Sequence, residues 1–206
     1  MALMTAAEVR VYLRLSGTAE DTTIDTLVSR FDALAAAWCG LPAAPGGTAT
    51  DPPTFESSIY TLYLNGPTLD PMVLDLGVRP VSAVGSIYDD RLREYGSDTL
   101  VDSGDYTLHG ESGLVILSYD STQGSWSSGF RAIKATVTSG WSSGTAPSSL
   151  KHACGMQVAH WWRGKDTIGK TSISQAGTSV SVKNLSLLDE VKQALGPYML
   201  MGGAYV

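Results

Sequence analysis

Apolar residues recur at three- and four-residue spacing near both ends of the chain and at two-residue spacing between them. The pattern predicts helices flanking a block of strands. Thr5-Ala-Ala-Glu8 fits a capping box, in which hydroxyl and carboxylate satisfy backbone N–H groups left free by a first helical turn. A helix is expected over about 5–15, closed by Ser16-Gly17. A second opens at Asp21 or Thr22, with Ile24, Leu27, Val28, Phe31, Leu34, Ala35 and Trp38 on one stripe. Gly40 is placed to cap its C-terminal end.

A Pro-, Gly- and Thr-rich linker over 41–53 precedes a change of period. Short runs rich in Val, Ile, Tyr and Thr follow at 59–64, 72–76, 81–88, 106–109, 114–119 and 130–138. Asn65-Gly66-Pro67, Ser103-Gly104-Asp105 and Gly110 to Gly113 separate them with turn chemistry. In the last run Ile133, Ala135 and Val137 alternate with Lys134, Thr136 and Thr138, the pattern of a strand with one wet face. The block is expected to be an antiparallel sandwich or barrel of about six strands.

Helical spacing returns after Pro147, where Leu150, Ala153, Cys154, Gln157, Val158 and Trp161 share a face that runs to Arg163-Gly164. Ile173, Val180 and Val182 fit a loose hairpin within a Ser-, Thr- and Gly-rich stretch. Ser186-Leu-Leu-Asp189 resembles another capping box, and Leu188, Val191 and Leu195 line a short last helix that Gly196-Pro197 must kink or stop. The fold class expected is α+β. Residues 1–53 and 146–206 form a small four-helix bundle with a C-terminal tail, and 54–145 an inserted antiparallel β domain.

Composition narrows the function classes. The 206 residues are 43% hydrophobic and 17% charged, as in a folded globular chain. A formal net charge of −6 without any basic run disfavours a nucleic-acid-gripping surface, which needs clustered Lys and Arg against the phosphates. No cationic segment followed by an apolar core marks a secretory signal, and no apolar run is long enough for a bilayer. Cys39 and Cys154 are therefore expected to stay reduced, as small buried apolar side chains.

Two motifs look like chemistry. Gly164-Lys-Asp-Thr-Ile-Gly169-Lys170-Thr171 satisfies the P-loop expression at every specified position. Yet a helix leads into it and no helix leaves, whereas phosphate binding needs a helix N-terminus after the loop. Gly140-Trp141-Ser142-Ser143-Gly144 satisfies the nucleophile-elbow pattern, but Ala146-Pro147 delays the next helix and no His follows His160. His152 and His160 fall about 80° apart around one helix, which is poor for a shared metal. Asp89-Asp90 and Asp102 with Asp105 read as turn residues. No catalytic, cofactor-binding or metal site is nominated and no cofactor is expected. A nucleotide-binding loop at Gly164 to Thr171 stays as an alternative. So does a carbohydrate- or receptor-binding β module stacking sugars on Trp126 and Trp141.

The opening Met-Ala-Leu-Met-Thr-Ala-Ala-Glu-Val-Arg-Val-Tyr-Leu-Arg-Leu, Glu20-Asp21 and the helix ending Ala37-Trp-Cys-Gly40 resemble the head-tail connector proteins of tailed phages, the gp6-like and gp15-like adaptor group. Val78-Arg79-Pro80-Val81-Ser-Ala-Val84 is similar to the β insertion of longer members. Gly140-Trp141, Pro147-Ser-Ser-Leu150-Lys-His-Ala153 and Leu188-Asp-Glu-Val191 to Leu195-Gly-Pro-Tyr198 are similar to the family's later helices. The resemblance implies a non-enzymatic virion protein, made in the host cytoplasm, that assembles as a ring of twelve copies at the head-tail junction. The ring would sit beneath the portal and meet a downstream connector, stopper or tail protein, with DNA passing through the lumen unbound and no membrane involved. Tyr198, Met199, Leu200, Met201, Tyr205 and Val206 put apolar groups at a chain end and are nominated to bind a partner, the portal. The alternative is a tail folded back on its own bundle.

Overall fold

Helix α1 (Ala6–Leu13) begins where Thr5 and Glu8 exchange bonds, the Glu8 N–H donating to Thr5 Oγ1 at 3.2 Å and the Thr5 N–H to Glu8 Oε2 at 2.8 Å. It stops short of Leu15 because Arg14 turns left-handed at φ 55° and returns its N–H to Arg10 and Val11 carbonyls. The computed structural model describes residues 3–42, 52–142, 144–164, 172–175, 178–181 and 186–200. Two compact units emerge, one of Met1–Cys39 with Ser142–Met199 and one of Gly40–Trp141 with Leu200–Val206.

In the first unit, helix α2 (Asp21–Trp38) buries Ile24, Val28, Phe31, Ala35 and Ala36. Leu34 and Trp38, expected on this stripe, are 39% and 37% exposed. The buried face leans toward Asp32 and Ala36, which leaves the Leu27–Leu34–Trp38 flank at its margin. Gly40 follows the helix at φ 77°, the left-handed closure that glycine adopts without a Cβ penalty. Helix α3 (Ser148–Arg163) buries Leu150, Ala153, Cys154, Gln157, Val158 and Trp161, the face that spacing predicts. It packs against α1, α2 and α4 (Asp189–Leu195). Cys39 and Cys154 are free thiols, both buried. Burial pushes the Cys39 thiol up to about 11 and the Cys154 thiol higher still, so both stay protonated and unreactive.

The capping box proposed at Ser186 to Asp189 is not formed. Helix α4 starts at Asp189, with Leu188 at the cap and no side-chain capping bond, so the acid stands at the first helical position and not the third. Gln157, fully buried on α3, does this work instead. Its Oε1 accepts the Leu188 N–H at 2.9 Å and its Nε2 donates to the Ser186 carbonyl at 3.3 Å. Strands β7 (Ser172–Gln175) and β8 (Thr178–Ser181) pair antiparallel with Ile173 opposite Val180, as a hairpin requires. Val182 lies outside the described residues.

The second unit holds two three-stranded antiparallel sheets, and no strand links them into a closed barrel among the described residues. One has the order β1 (Ser58–Leu64), β6 (Ile133–Ser139), β3 (Val81–Asp89). The other is β2 (Val73–Asp75), β5 (Leu114–Leu117), β4 (Tyr106–His109). On β6 the odd positions from Ile133 to Ser139 are buried and the even ones half-exposed, the predicted wet-face alternation. Leu62, Leu64, Ile87, Ile133 and Ala135 from the first sheet share a core with Leu74, Val115 and Leu117 from the second. The chain is thus α+β, with four α-helices and small antiparallel sheets among the described residues.

Gln157→Leu keeps the volume of the buried side chain but strands the Leu188 N–H and the Ser186 carbonyl. Unpairing these part-buried groups costs at most what full burial would exact, on the order of 1–3 kcal/mol. Urea denaturation should show that loss with an unchanged m-value, and an unaltered midpoint would remove Gln157 from the anchoring of α4.

Candidate functional site

Pro197 ends regular α-helix and the chain passes into a single 3-10 turn, Gly196–Tyr198. The Tyr198 hydroxyl lies 2.6 Å from Ser149 Oγ on α3 and holds the start of the C-terminal segment to the helical unit. Tyr198 and Leu200 are half-buried and Met199 is 40% exposed. Met201, Tyr205 and Val206, the other nominated partner-binding residues, lie outside the described residues. The same unit exposes Val11, Leu34 and Trp38.

The motifs that suggest catalysis fall in structural roles where they are described. Helix α3 leads into the Gly164 segment and strand β7 follows it, so the strand-to-helix frame of a P-loop is absent from its flanks. Residues 165–171 themselves lie outside the described residues. Gly140 has φ 104°, and a Cβ there would run into the backbone of Phe55 and Glu56. That glycine serves close strand packing and not a nucleophile turn. Ser142 Oγ sits 3.0 Å from Thr145 Oγ1, a turn contact without a base, and Ser143 lies outside the described residues. His152 Nδ1 lies 3.4 Å from the Tyr12 hydroxyl, and His109 is exposed on β4. No group of three or more His, Cys, Asp or Glu suited to a metal occurs among the described residues.

Adjacent acids are pushed in opposite directions. The Asp90 carboxylate accepts N–H bonds from Leu92 at 2.7 Å, Glu94 at 2.7 Å and Tyr95 at 2.8 Å. Those bonds, the one from Tyr95 foremost, hold it below the ordinary carboxylate range. Burial raises Asp89, although it accepts from the Ser127 N–H at 2.9 Å and from the Gln123 amide. Asp102 caps Gly104 at 2.8 Å and Asp105 accepts from the Thr122 hydroxyl at 3.0 Å. All four organise loops.

The sugar-platform reading of Trp126 is corrected. Its ring is 3% exposed and its Nε1–H donates to the Met72 carbonyl at 3.1 Å, so it is a core residue. Trp141 is half-buried with its ring 6.0 Å from Phe55. A cluster that spacing did not single out lies on the wet side of the β1-β6-β3 sheet. Lys134 Nζ stands 5.6 Å from both the Tyr88 and Tyr95 rings, and the Arg131 guanidinium 6.0 Å from Tyr63 and 5.4 Å from Phe130. The signal was available in part, since strand register puts Tyr63 and Tyr88 on either side of Lys134. Tyr95 arrives from a loop whose course no period announces.

A family model described as head completion protein matches residues 2–199. Among solved structures, the chain is similar to one in the neck of an empty GTA particle with C6 symmetry, at 14% identity and a TM-score of 0.55, covering 93% of this chain and 89% of that one. It is also similar to a chain of the virion of a native gene transfer agent particle, at 15% identity and a TM-score of 0.53, covering 93% and 88%. At such identities the likeness speaks for the fold. None of the curated proteins matches.

Asp90→Ala should lower the melting temperature at pH 7, because three backbone donors lose an ionised acceptor. A carboxylate held below its ordinary pKa adds stability above that pKa and loses it as pH falls through the depressed value. The gap between wild type and variant should therefore close on acidification below the ordinary carboxylate range. Melts that differ equally at pH 7 and pH 3 would show that the ionised form is not what the loop uses.

Proposed function

Because the chain belongs to the head completion protein family, we propose that it is a structural head-tail adaptor of a tailed phage or phage-like particle. In this reading copies form a ring beneath the portal, twelve as the connector resemblance implies, and pass DNA through the centre to a downstream connector or tail protein. The observation that carries it is the family match over residues 2–199, which runs through the helices and both sheets. Likeness in fold to chains of a particle neck and a virion supports the same place in a particle. So does the charge: a lumen through which DNA slides works best without a phosphate grip, and the chain is acidic overall. The gp6-like and gp15-like adaptor group is the finer assignment within this reading, and no enzymatic step is assigned to the chain.

The C-terminal segment from Tyr198 is proposed as the portal contact. Met199 and Met201 adapt to irregular grooves, and Gly202-Gly203 gives the backbone freedom to follow one.

Negative-stain images of the purified protein and of whole particles should show a ring with a central hole, and featureless monomers in both samples would sink the adaptor reading. Truncation after Leu195 separates the two fates of the tail. If the tail serves the portal, the shortened protein melts nearly as before but no longer co-purifies with portal particles. If it serves the helical unit, the melting temperature falls and the folded fraction still binds.

A further inference from the structure

The β unit carries two patches of opposite charge. Arg91, Arg93 and Arg131 are exposed and Lys134 half-exposed at one end of the β1-β6-β3 sheet, outnumbering the exposed Glu94 and Asp98 of the same region, together with Tyr63 at 42% and Phe130 at 57% exposure. Neither Arg131 nor Lys134 forms an ion pair among the described residues. Their positive charges rest on aromatic faces instead, which orients them without neutralising them.

The other sheet and its loops carry the opposite sign. Residues 65–78 and 100–125 contain six carboxylates and no Lys or Arg. Asp102, Asp105 and Asp120 are drawn together where the Ser118 N–H bonds the Asp105 carbonyl and the Thr122 hydroxyl bonds the Asp105 carboxylate. Asp70 joins the same end of the sheet, because the nearby Met72 carbonyl accepts the Leu117 N–H. Two apolar side chains project there, Leu69 at 98% and Tyr119 at 100% exposure.

We propose that the cationic, aromatic face of β1-β6-β3 docks on the acidic Leu69–Tyr119 end of the second sheet in another copy of this chain. The inference rests on the ring reading and supplies its contact. A second copy satisfies both surfaces at once, whereas DNA would serve only the cationic one. Two unlike patches that fit each other make a head-to-tail contact, which closes into a ring when its rotation divides a full turn. Opposite charge fixes register and rejects face-to-face pairing of like patches, while Tyr63, Phe130, Leu69 and Tyr119 supply apolar area.

The test is a charge exchange on the full chain. Arg131→Glu with Lys134→Glu makes both patches acidic, and Asp102→Lys, Asp105→Lys and Asp120→Lys in a second protein make both basic. In sedimentation velocity and negative-stain images each variant alone should assemble at least tenfold more weakly than wild type. An equimolar mixture should recover rings with alternating copies. Lys134→Glu alone, or Asp120→Lys alone in the second protein, serves if a multiple variant misfolds, since Asp102 and Asp105 also order their loops, with circular dichroism and a melt as the check. Wild-type-like rings from the acidic variant overturn this interface and leave the ring reading standing. Wild-type protein that forms no ring, free or on particles, overturns both. Unchanged rings combined with loss of duplex-DNA binding in the acidic variant assign the face to nucleic acid and also overturn the proposal.

Discussion

The pairing of β1 with β6 is the interaction on which the rest of the chain depends. These strands are the first and last of the β unit, and they pair without a break from Ser58 opposite Ser139 to Leu64 opposite Ile133. The Ser57 N–H bonds the Trp141 carbonyl and the Trp141 N–H bonds the Phe55 carbonyl, which carries the closure past the strand ends. A segment of some eighty residues therefore leaves and returns at one place. Loop-closure entropy grows only slowly with length, so a long excursion costs little more than a short one once its ends are tied. Helix α3 can then meet α1 and α2 as though they were sequence neighbours.

Polar side chains act as joints in this fold, and residues that motifs single out, such as Asp90 and Ser142, are among them. Gln157 replaces the missing cap of α4, Asp90 gathers three backbone donors, and Trp126 spends its indole N–H on a carbonyl. Each group is engaged by its own chain. A catalytic residue needs a free acceptor or donor facing substrate, with an acid or base poised beside it. Ser142, facing Thr145, has neither.

Much of this was legible from spacing. The α3 face is legible because six buried positions at helical period leave little freedom, and β6 because strict alternation over seven residues fits only a strand with one side wet. The capping box at Thr5 was legible because it is local. The one at Ser186 failed for the converse reason: its donors are satisfied by Gln157, far away in sequence, and no local pattern records that. Trp126 misled because a tryptophan among Gly and Ser reads as exposed, while the core it enters is assembled from both sheets. The cation–aromatic cluster needs Tyr63, Tyr88, Tyr95, Phe130, Arg131 and Lys134 from separate segments, so only tertiary structure assembles it.

The acidic balance of the chain has a consequence for the proposed assembly. Copies that each carry a formal charge of −6 repel one another at long range. At physiological ionic strength the screening length is about 8 Å, so that repulsion weakens steeply beyond contact distance. What decides association is then the charge within the contact and not the total. A chain with net negative charge can still join its neighbours if its few unpaired cations are gathered at one surface and held ready. Arg131 and Lys134 meet that condition, since aromatic rings fix their positions while leaving their charge available. Had the same cations been spread evenly and paired with nearby acids, the chain would have kept its composition and lost the local field on which the proposed contact rests.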